Sequence, residues 1–138
     1  MGSNIKVGDI MVKNVITLEK GNGLVDAATI MKKYSIGSVV ITDKSKAIGI
    51  LTERDIIRKA VARNNINRNV EDVMSFPIVV IKPENTIEEA VTAMKENGVK
   101  RLIVIDEEGV LKGIITEDDI INILPSLLDL IEERVRIE

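Results

Sequence analysis

Two tetrapeptides of one design carry the residues best suited to chemistry: Thr52-Glu53-Arg54-Asp55 and Thr116-Glu117-Asp118-Asp119. Each follows an apolar run containing a glycine, Gly49-Ile50-Leu51 and Gly113-Ile114-Ile115. A threonine three residues before an acid caps a helix, the hydroxyl and the carboxylate accepting from otherwise unpaired backbone N–H groups. The same pair can hold a ligand. A carboxylate accepts two hydrogen bonds from a vicinal diol, and the adjacent hydroxyl reaches a ribose oxygen or a phosphate. Glycine in the preceding strand admits close approach of something flat. The two roles are compatible, since one side chain can cap and bind.

The two corners differ in charge. Gly37-Ser38 precedes the first, whereas Lys100-Arg101 occupies the matching place before the second; Arg54 in the first corner is replaced by Asp118 in the second. Phosphate requires positive charge or free N–H donors, and arginine offers a planar fork. The Thr116/Asp119 corner is therefore expected to hold a phosphate more firmly than the Thr52/Asp55 corner. The acids at residues 117–119 oppose a phosphate seated directly on that helix end. The competing reading is that Lys100 and Arg101 solvate a strand end. A flat, apolar ligand surface would have to lie against aliphatic walls, for which Ile16, Ile50, Val79 and Ile114 are the candidates; for each of them the plain core is the stronger reading. The only aromatic residues, Tyr34 and Phe76, lie outside both corners.

Other chemistries are poorly supplied. The 138-residue chain has no histidine and no cysteine, which removes the commonest general base and all thiolate chemistry. No phosphate-binding Gly-x4-Gly-Lys-Ser/Thr loop is present. An enzyme is not expected. Asp118-Asp119 and Glu107-Glu108 read as a cap and a solvated turn rather than a metal site, so any Mg²⁺ arrives with a nucleotide. No apolar run approaches the roughly 20 residues of a membrane span, and no signal-peptide pattern opens the chain. A cytoplasmic protein with no membrane partner is expected. Arg58, Lys59, Arg63 and Arg68 form a basic stretch over 58–68 that offers an alternative function, a scaffold contacting nucleic acid or an acidic protein. A net charge of −3 and the lack of aromatic stacking residues disfavour nucleic acid.

The elements that position these corners occur twice. Val7-Gly8-Asp9-Ile10-Met11 returns as Val70-Glu71-Asp72-Val73-Met74, and Gly49–Ile57 returns as Gly113–Ile121 with one extra residue between the blocks. A repeat of this period is one supersecondary unit that cannot close its own core. Each copy reads as strand, helix, strand, strand, helix. Val15-Ile16-Thr17-Leu18 is a short strand, followed by a helical stripe of Leu24, Ala27, Ala28 and Met31; Ile87, Ala90, Val91 and Met94 repeat the stripe. Asn22 and Asn85 or Thr86 are expected N-caps. Apolar runs at 39–41 and 48–51, and again at 102–105 and 111–115, form hairpins whose turns absorb the extra residue. The continuous apolarity implies strands covered on both faces. Repeats at 7–64 and 70–124 are expected, with a C-terminal helical tail at 125–138.

The doubled Gly-h-h-Thr-x-x-Asp-h-h pattern, h being apolar, resembles the CBS domain, and the tandem arrangement resembles a CBS pair or Bateman module. The resemblance implies an α/β (α+β) fold of two β-α-β-β-α repeats, packed with pseudo-two-fold symmetry through their sheets. It implies clefts binding AMP, ADP, ATP (with or without Mg²⁺) or S-adenosylmethionine. Asp55 and Asp119 match the family's ribose-binding aspartates, and Thr52 and Thr116 the adjacent hydroxyls. Each corner is implied to face the first strand and helix start of the other repeat, around Ile16-Thr17 or Val79-Val80. Ser38, Ile50 and Arg54 complete the first set, and Lys100, Arg101 and Ile114 the second. The expected function is a stand-alone regulatory module for energy sensing, a homodimer that reports adenine-nucleotide occupancy to an effector protein.

Overall fold

The computed structural model describes residues 5–123. They form an α+β fold with two three-stranded sheets, one in each of two compact units. The first unit comprises residues 14–78 and 108–111; the second comprises 5–13, 79–107 and 112–123 of the described chain. The expected tail at 125–138 lies outside the described residues.

In chain order the second unit begins with α1 (Val7–Ile10). The first unit follows with β1 (Thr17–Glu19), α2 (Leu24–Tyr34), β2 (Ser38–Asp43), β3 (Lys46–Thr52), α3 (Glu53–Asp55) and α4 (Val70–Val73). From α3 the chain continues as a π-helical turn over Ile56–Ala60 and a 3₁₀ turn over Val61–Arg63. The second unit resumes with β4 (Val80–Ile81), α5 (Ile87–Asn97), β5 (Arg101–Ile105), β6 (Leu111–Thr116) and α6 (Glu117–Ile121). The first strand of each sheet runs parallel to the second, Thr17 opposite Val40 and Val80 opposite Ile103. β2 and β3 are antiparallel, placing Ser38 opposite Thr52.

The helical stripe buries Leu24, Ala27 and Met31 in α2, and Ile87, Ala90 and Met94 in α5. Ala28 and Val91 are exposed, so the packed face is narrower than the spacing suggests. Thr86 caps α5: its Oγ1 accepts from Glu89 N–H at 3.1 Å, while the Glu89 carboxylate accepts from Thr86 N–H at 3.1 Å. Asn22 does not cap α2. The helix starts one residue later, behind Gly23, whose N–H donates to Asp26, and the Asn22 amide donates to the Glu19 carbonyl instead. The first hairpin closes tightly, with positive φ at Lys44 and Ser45, and carries a register shift at Ile41/Thr42. The second turns through Gly109 at φ 82°, which accommodates its extra residue.

The short helices α1 and α4, absent from the expected strand–helix–strand–strand–helix order, are exchanged between repeats. Val7, in the first sequence repeat, is fully buried in the core of Ile81, Ile87, Leu102 and Ile115. Val70 and Val73, in the second repeat, are fully buried with Leu24, Val39, Ile41 and Leu51. Matching backbone bonds tether them: Val7 N–H to Asn85 O, and Val70 N–H to Asn22 O, both at 2.8 Å. Each such valine contributes about 1.5–3 kcal/mol by leaving water. The compact unit is thus offset from the sequence repeat by one helix.

Candidate functional site

Both corners are built as the Thr-x-x-Asp spacing requires. Thr52 Oγ1 accepts from Asp55 N–H at 3.0 Å, and Asp55 Oδ2 accepts from Thr52 N–H at 3.1 Å. Thr116 and Asp119 repeat the exchange at 3.1 and 2.9 Å. A backbone bond fixes the strand beside each corner: Glu53 N–H donates to Gly37 O at 3.0 Å, and Glu117 N–H to Lys100 O at 2.9 Å.

The strand glycines serve the chain itself rather than a flat ligand. A Cβ on Gly49 collides with the Met74 side chain, and one on Gly113 lies 2.6 Å from the Val12 carbonyl oxygen and 2.8 Å from Met11 Sδ. Ser75 and Val12, one residue beyond those methionines, pair with Ile50 and Ile114 through reciprocal backbone bonds of 2.8–3.1 Å. The segment after α4 therefore borders the Asp55 corner, and the segment after α1 borders the Asp119 corner.

Here the two diverge. Asp55 is buried, with 7% of its surface exposed. Its Oδ1 accepts from Lys59 Nζ at 3.0 Å and from Ser75 Oγ at 3.0 Å; Oδ2 takes Ser75 Oγ at 3.2 Å besides the cap. Lys59 also donates to the Val73 carbonyl at 3.2 Å. Asp119 is only half-buried, and among the described residues its Oδ1 has no hydrogen-bond or ion-pair partner. Val12 and Ile123 stand where Ser75 and Lys59 stand in the other corner, and neither side chain can donate.

The remaining expected site residues divide between the units. The first unit holds Ile16, Thr17, Ser38, Ile50 and Arg54 with Thr52 and Asp55; the second holds Val79, Val80, Lys100, Arg101 and Ile114 with Thr116 and Asp119. Thr17, Arg54, Val80 and Lys100 are exposed, Ile114 is buried, and Ile16, Ser38, Ile50, Val79 and Arg101 are half-buried. Ile16 and Val79 pack on the two cores, while Ile50 and Ile114 belong to neither core cluster. Lys100 and Arg101 make no ion pair among the described residues.

A family model for the CBS domain matches residues 7–62 and 70–126. The chain belongs to the CBS domain family. An uncharacterised protein of Methanopyrus kandleri is 36% identical over 136 residues, covering 96% of this chain and 69% of that protein. The inosine-5'-monophosphate dehydrogenase of Methanocaldococcus jannaschii is 37% identical over 117 residues, which cover 84% of this chain but 23% of the enzyme. The chain likewise spans 40% and 44% of two uncharacterised proteins from that organism. Among solved structures, the CBS domain pair of protein MJ0100, in complex with 5'-methylthioadenosine and S-adenosyl-L-methionine, superposes with a TM-score of 0.81. It is 26% identical, with 90% of this chain and 98% of that one covered.

Sequence reasoning missed Ser75 and Lys59 as partners of Asp55. The usable signal was the polar-for-apolar difference between repeats, Ser75 against Val12 and Lys59 against Ile123. Lys59 belongs by sequence to the basic stretch over 58–68, two of whose cations bond back into the chain. Lys59 turns to Asp55, and the Arg68 guanidinium donates to the carbonyls of Lys59 and Asp72, each at 3.0 Å. Among the described residues, no helix is long and apolar enough to cross a membrane, and no group of three or more acidic side chains is placed to hold a metal ion.

Proposed function

We propose that this chain is a regulatory module that binds an adenosyl ligand at the Thr116/Asp119 corner. The observation that carries the reading is the Oδ1 of Asp119, unpartnered among the described residues, beside Lys100 and Arg101 at the entry to β5, which form no ion pair among those residues. Asp119 Oδ1 accepts one ribose hydroxyl, and the spare lone pair of Oδ2 accepts the other. The Thr116 hydroxyl, whose oxygen accepts from Asp119 N–H, keeps its own proton to donate. Lys100 and Arg101 attract phosphate and oppose a sulfonium, which favours AMP, ADP or ATP over S-adenosylmethionine. The adenosyl compounds in the MJ0100 pair support the ligand class. The inward bonds of Lys59 and Arg68 speak against a nucleic-acid scaffold.

Occupancy acts by differential affinity for two arrangements of the module, passed to an effector protein or to a second copy of the chain. A groove of about 440 Å³ between α2 and the π-helical turn, rimmed by the exposed Ile57, offers an apolar contact for either. Titration calorimetry with AMP and adenosine tests the ligand reading, with sedimentation run alongside. AMP binds, Asp119→Ala abolishes binding, and Lys100→Ala weakens AMP while sparing adenosine. Absence of binding to the folded chain at millimolar AMP, ADP and ATP refutes the reading; equal loss of AMP and adenosine in Lys100→Ala refutes phosphate recognition.

A further inference from the structure

We infer that the chain holds a single adenosyl ligand, and that Ser75 and Lys59 are the residues that close the Asp55 corner to a second. The inference rests on the ligand reading above and names the residues that decide which corner takes part. An ionised carboxylate offers about four lone-pair sites. At Asp55 three donors converge, the Thr52 N–H on Oδ2, the Lys59 ammonium on Oδ1 and the single Ser75 proton shared between the oxygens at 3.0 and 3.2 Å, so a diol, which needs two sites, finds at most one. A ribose diol reaches this carboxylate only by displacing donors already in place.

Those donors are not loose. Ser75 is tied to Ile50 by reciprocal backbone bonds of 2.8 and 3.1 Å, which keep its hydroxyl within reach of the carboxylate. Lys59 is held additionally by the Val73 carbonyl at 3.2 Å. At the other corner Val12 keeps the same backbone pairing to Ile114, at 2.9 and 3.0 Å, and presents no donor. The frame is conserved between the corners while the side chains on it change from polar to apolar. The corner without donors is also the one flanked by Lys100 and Arg101; its counterpart has Gly37 and Ser38. Two independent differences thus point to the same corner.

Calorimetry on the full chain with AMP as probe reads the stoichiometry. One AMP is expected per chain, lost in Asp119→Ala and retained in Asp55→Asn. Transplanting the closure, Val12→Ser with Ile123→Lys, leaves Asp55 untouched and is expected to weaken AMP by about tenfold or more, the equivalent of one charge-assisted contact. The converse pair, Ser75→Val with Lys59→Ile, is expected to restore one binding event in the Asp119→Ala background. Two AMP per wild-type chain, one of them removed by Asp55→Asn, overturns the inference, as does full affinity in the transplanted variant. If no AMP binds at all, the ligand reading fails, and melting of the ligand-free chain still decides the closure. Asp55→Asn must then melt several degrees below Asp119→Asn; equal melting overturns the assignment of Ser75 and Lys59.

Discussion

Replacing Gly113 by alanine tests the packing that frames the Asp119 corner. A Cβ there meets the Val12 carbonyl oxygen at 2.6 Å, and Met11 Sδ and Cγ at 2.8 and 3.1 Å. The thioether can swing aside, being unbranched and adaptable. The carbonyl cannot, because Val12 exchanges two backbone hydrogen bonds with Ile114, the residue next to the substitution. Accommodating the methyl means stretching or losing those bonds, at about 0.5–1.5 kcal/mol each. Overpacking adds about 1–3 kcal/mol. The expected destabilisation is about 2–6 kcal/mol. At Gly49 the three nearest atoms all belong to the Met74 side chain, so Gly49→Ala is expected to carry mainly the overpacking cost of about 1–3 kcal/mol. Urea unfolding of the full chain supplies both numbers, and double-mutant cycles separate the causes. Met74→Ala should recover most of the Gly49→Ala loss, whereas Met11→Ala should leave most of the Gly113→Ala loss in place. A Gly113→Ala cost below about 0.5 kcal/mol, the range of ordinary surface changes, or its full recovery by Met11→Ala, refutes the backbone collision.

Arg68→Ala removes two guanidinium bonds to the carbonyls of Lys59 and Asp72 at a half-buried position, and is expected to cost about 1–2 kcal/mol in urea unfolding with AMP affinity unchanged; a neutral result would show that this arginine is only a surface charge. The Glu89 carboxyl is held below the ordinary glutamate range by the Thr86 backbone N–H, then by the Asn85 and Thr86 side chains. Its contribution is therefore present at neutral pH and disappears as pH falls through the lowered value, so the melting gap between wild type and Glu89→Gln should close in acid, below the ordinary glutamate range; a gap that persists unchanged in acid contradicts the assignment.

Much of the fold is legible because it rests on local rules. The stripes Leu24/Ala27/Met31 and Ile87/Ala90/Met94 follow helical spacing, and Thr86 with Glu89 forms a cap between residues three apart. The exchange of α1 and α4 is not local. Val7-Gly8-Asp9-Ile10 contains too few apolar positions to reveal which core it enters, and its tether runs to Asn85, far along the chain. The glycines mislead for the same reason: Gly49 and Gly113 are needed for approach, but what approaches is Met74 or Met11 from a distant segment. At the site, residue types announced both aspartates. Whether a carboxylate oxygen stays free depends on Ser75 and Lys59, whose meeting with Asp55 follows from the path of the backbone.

Duplication of the Thr-x-x-Asp motif does not by itself count ligand sites. Both copies must start a helix after a strand, and the reciprocal Thr–Asp exchange does this equally well at 52–55 and 116–119. That requirement preserves the motif in a corner whether or not anything binds there. Ligand capacity is separable from it, because capping occupies only one carboxylate oxygen and leaves the other free to face partners of its own chain or a diol. At Asp55 the chain supplies those partners; at Asp119 it supplies none among the described residues. A buried carboxylate without Lys59 and Ser75 is costly, so the donors that close the first corner also stabilise it. Reopening that corner therefore exchanges stability for a binding site, whereas the half-buried Asp119 needs no internal donor beyond the Thr116 N–H. The asymmetry between the corners is one the folded chain can sustain before any ligand is present.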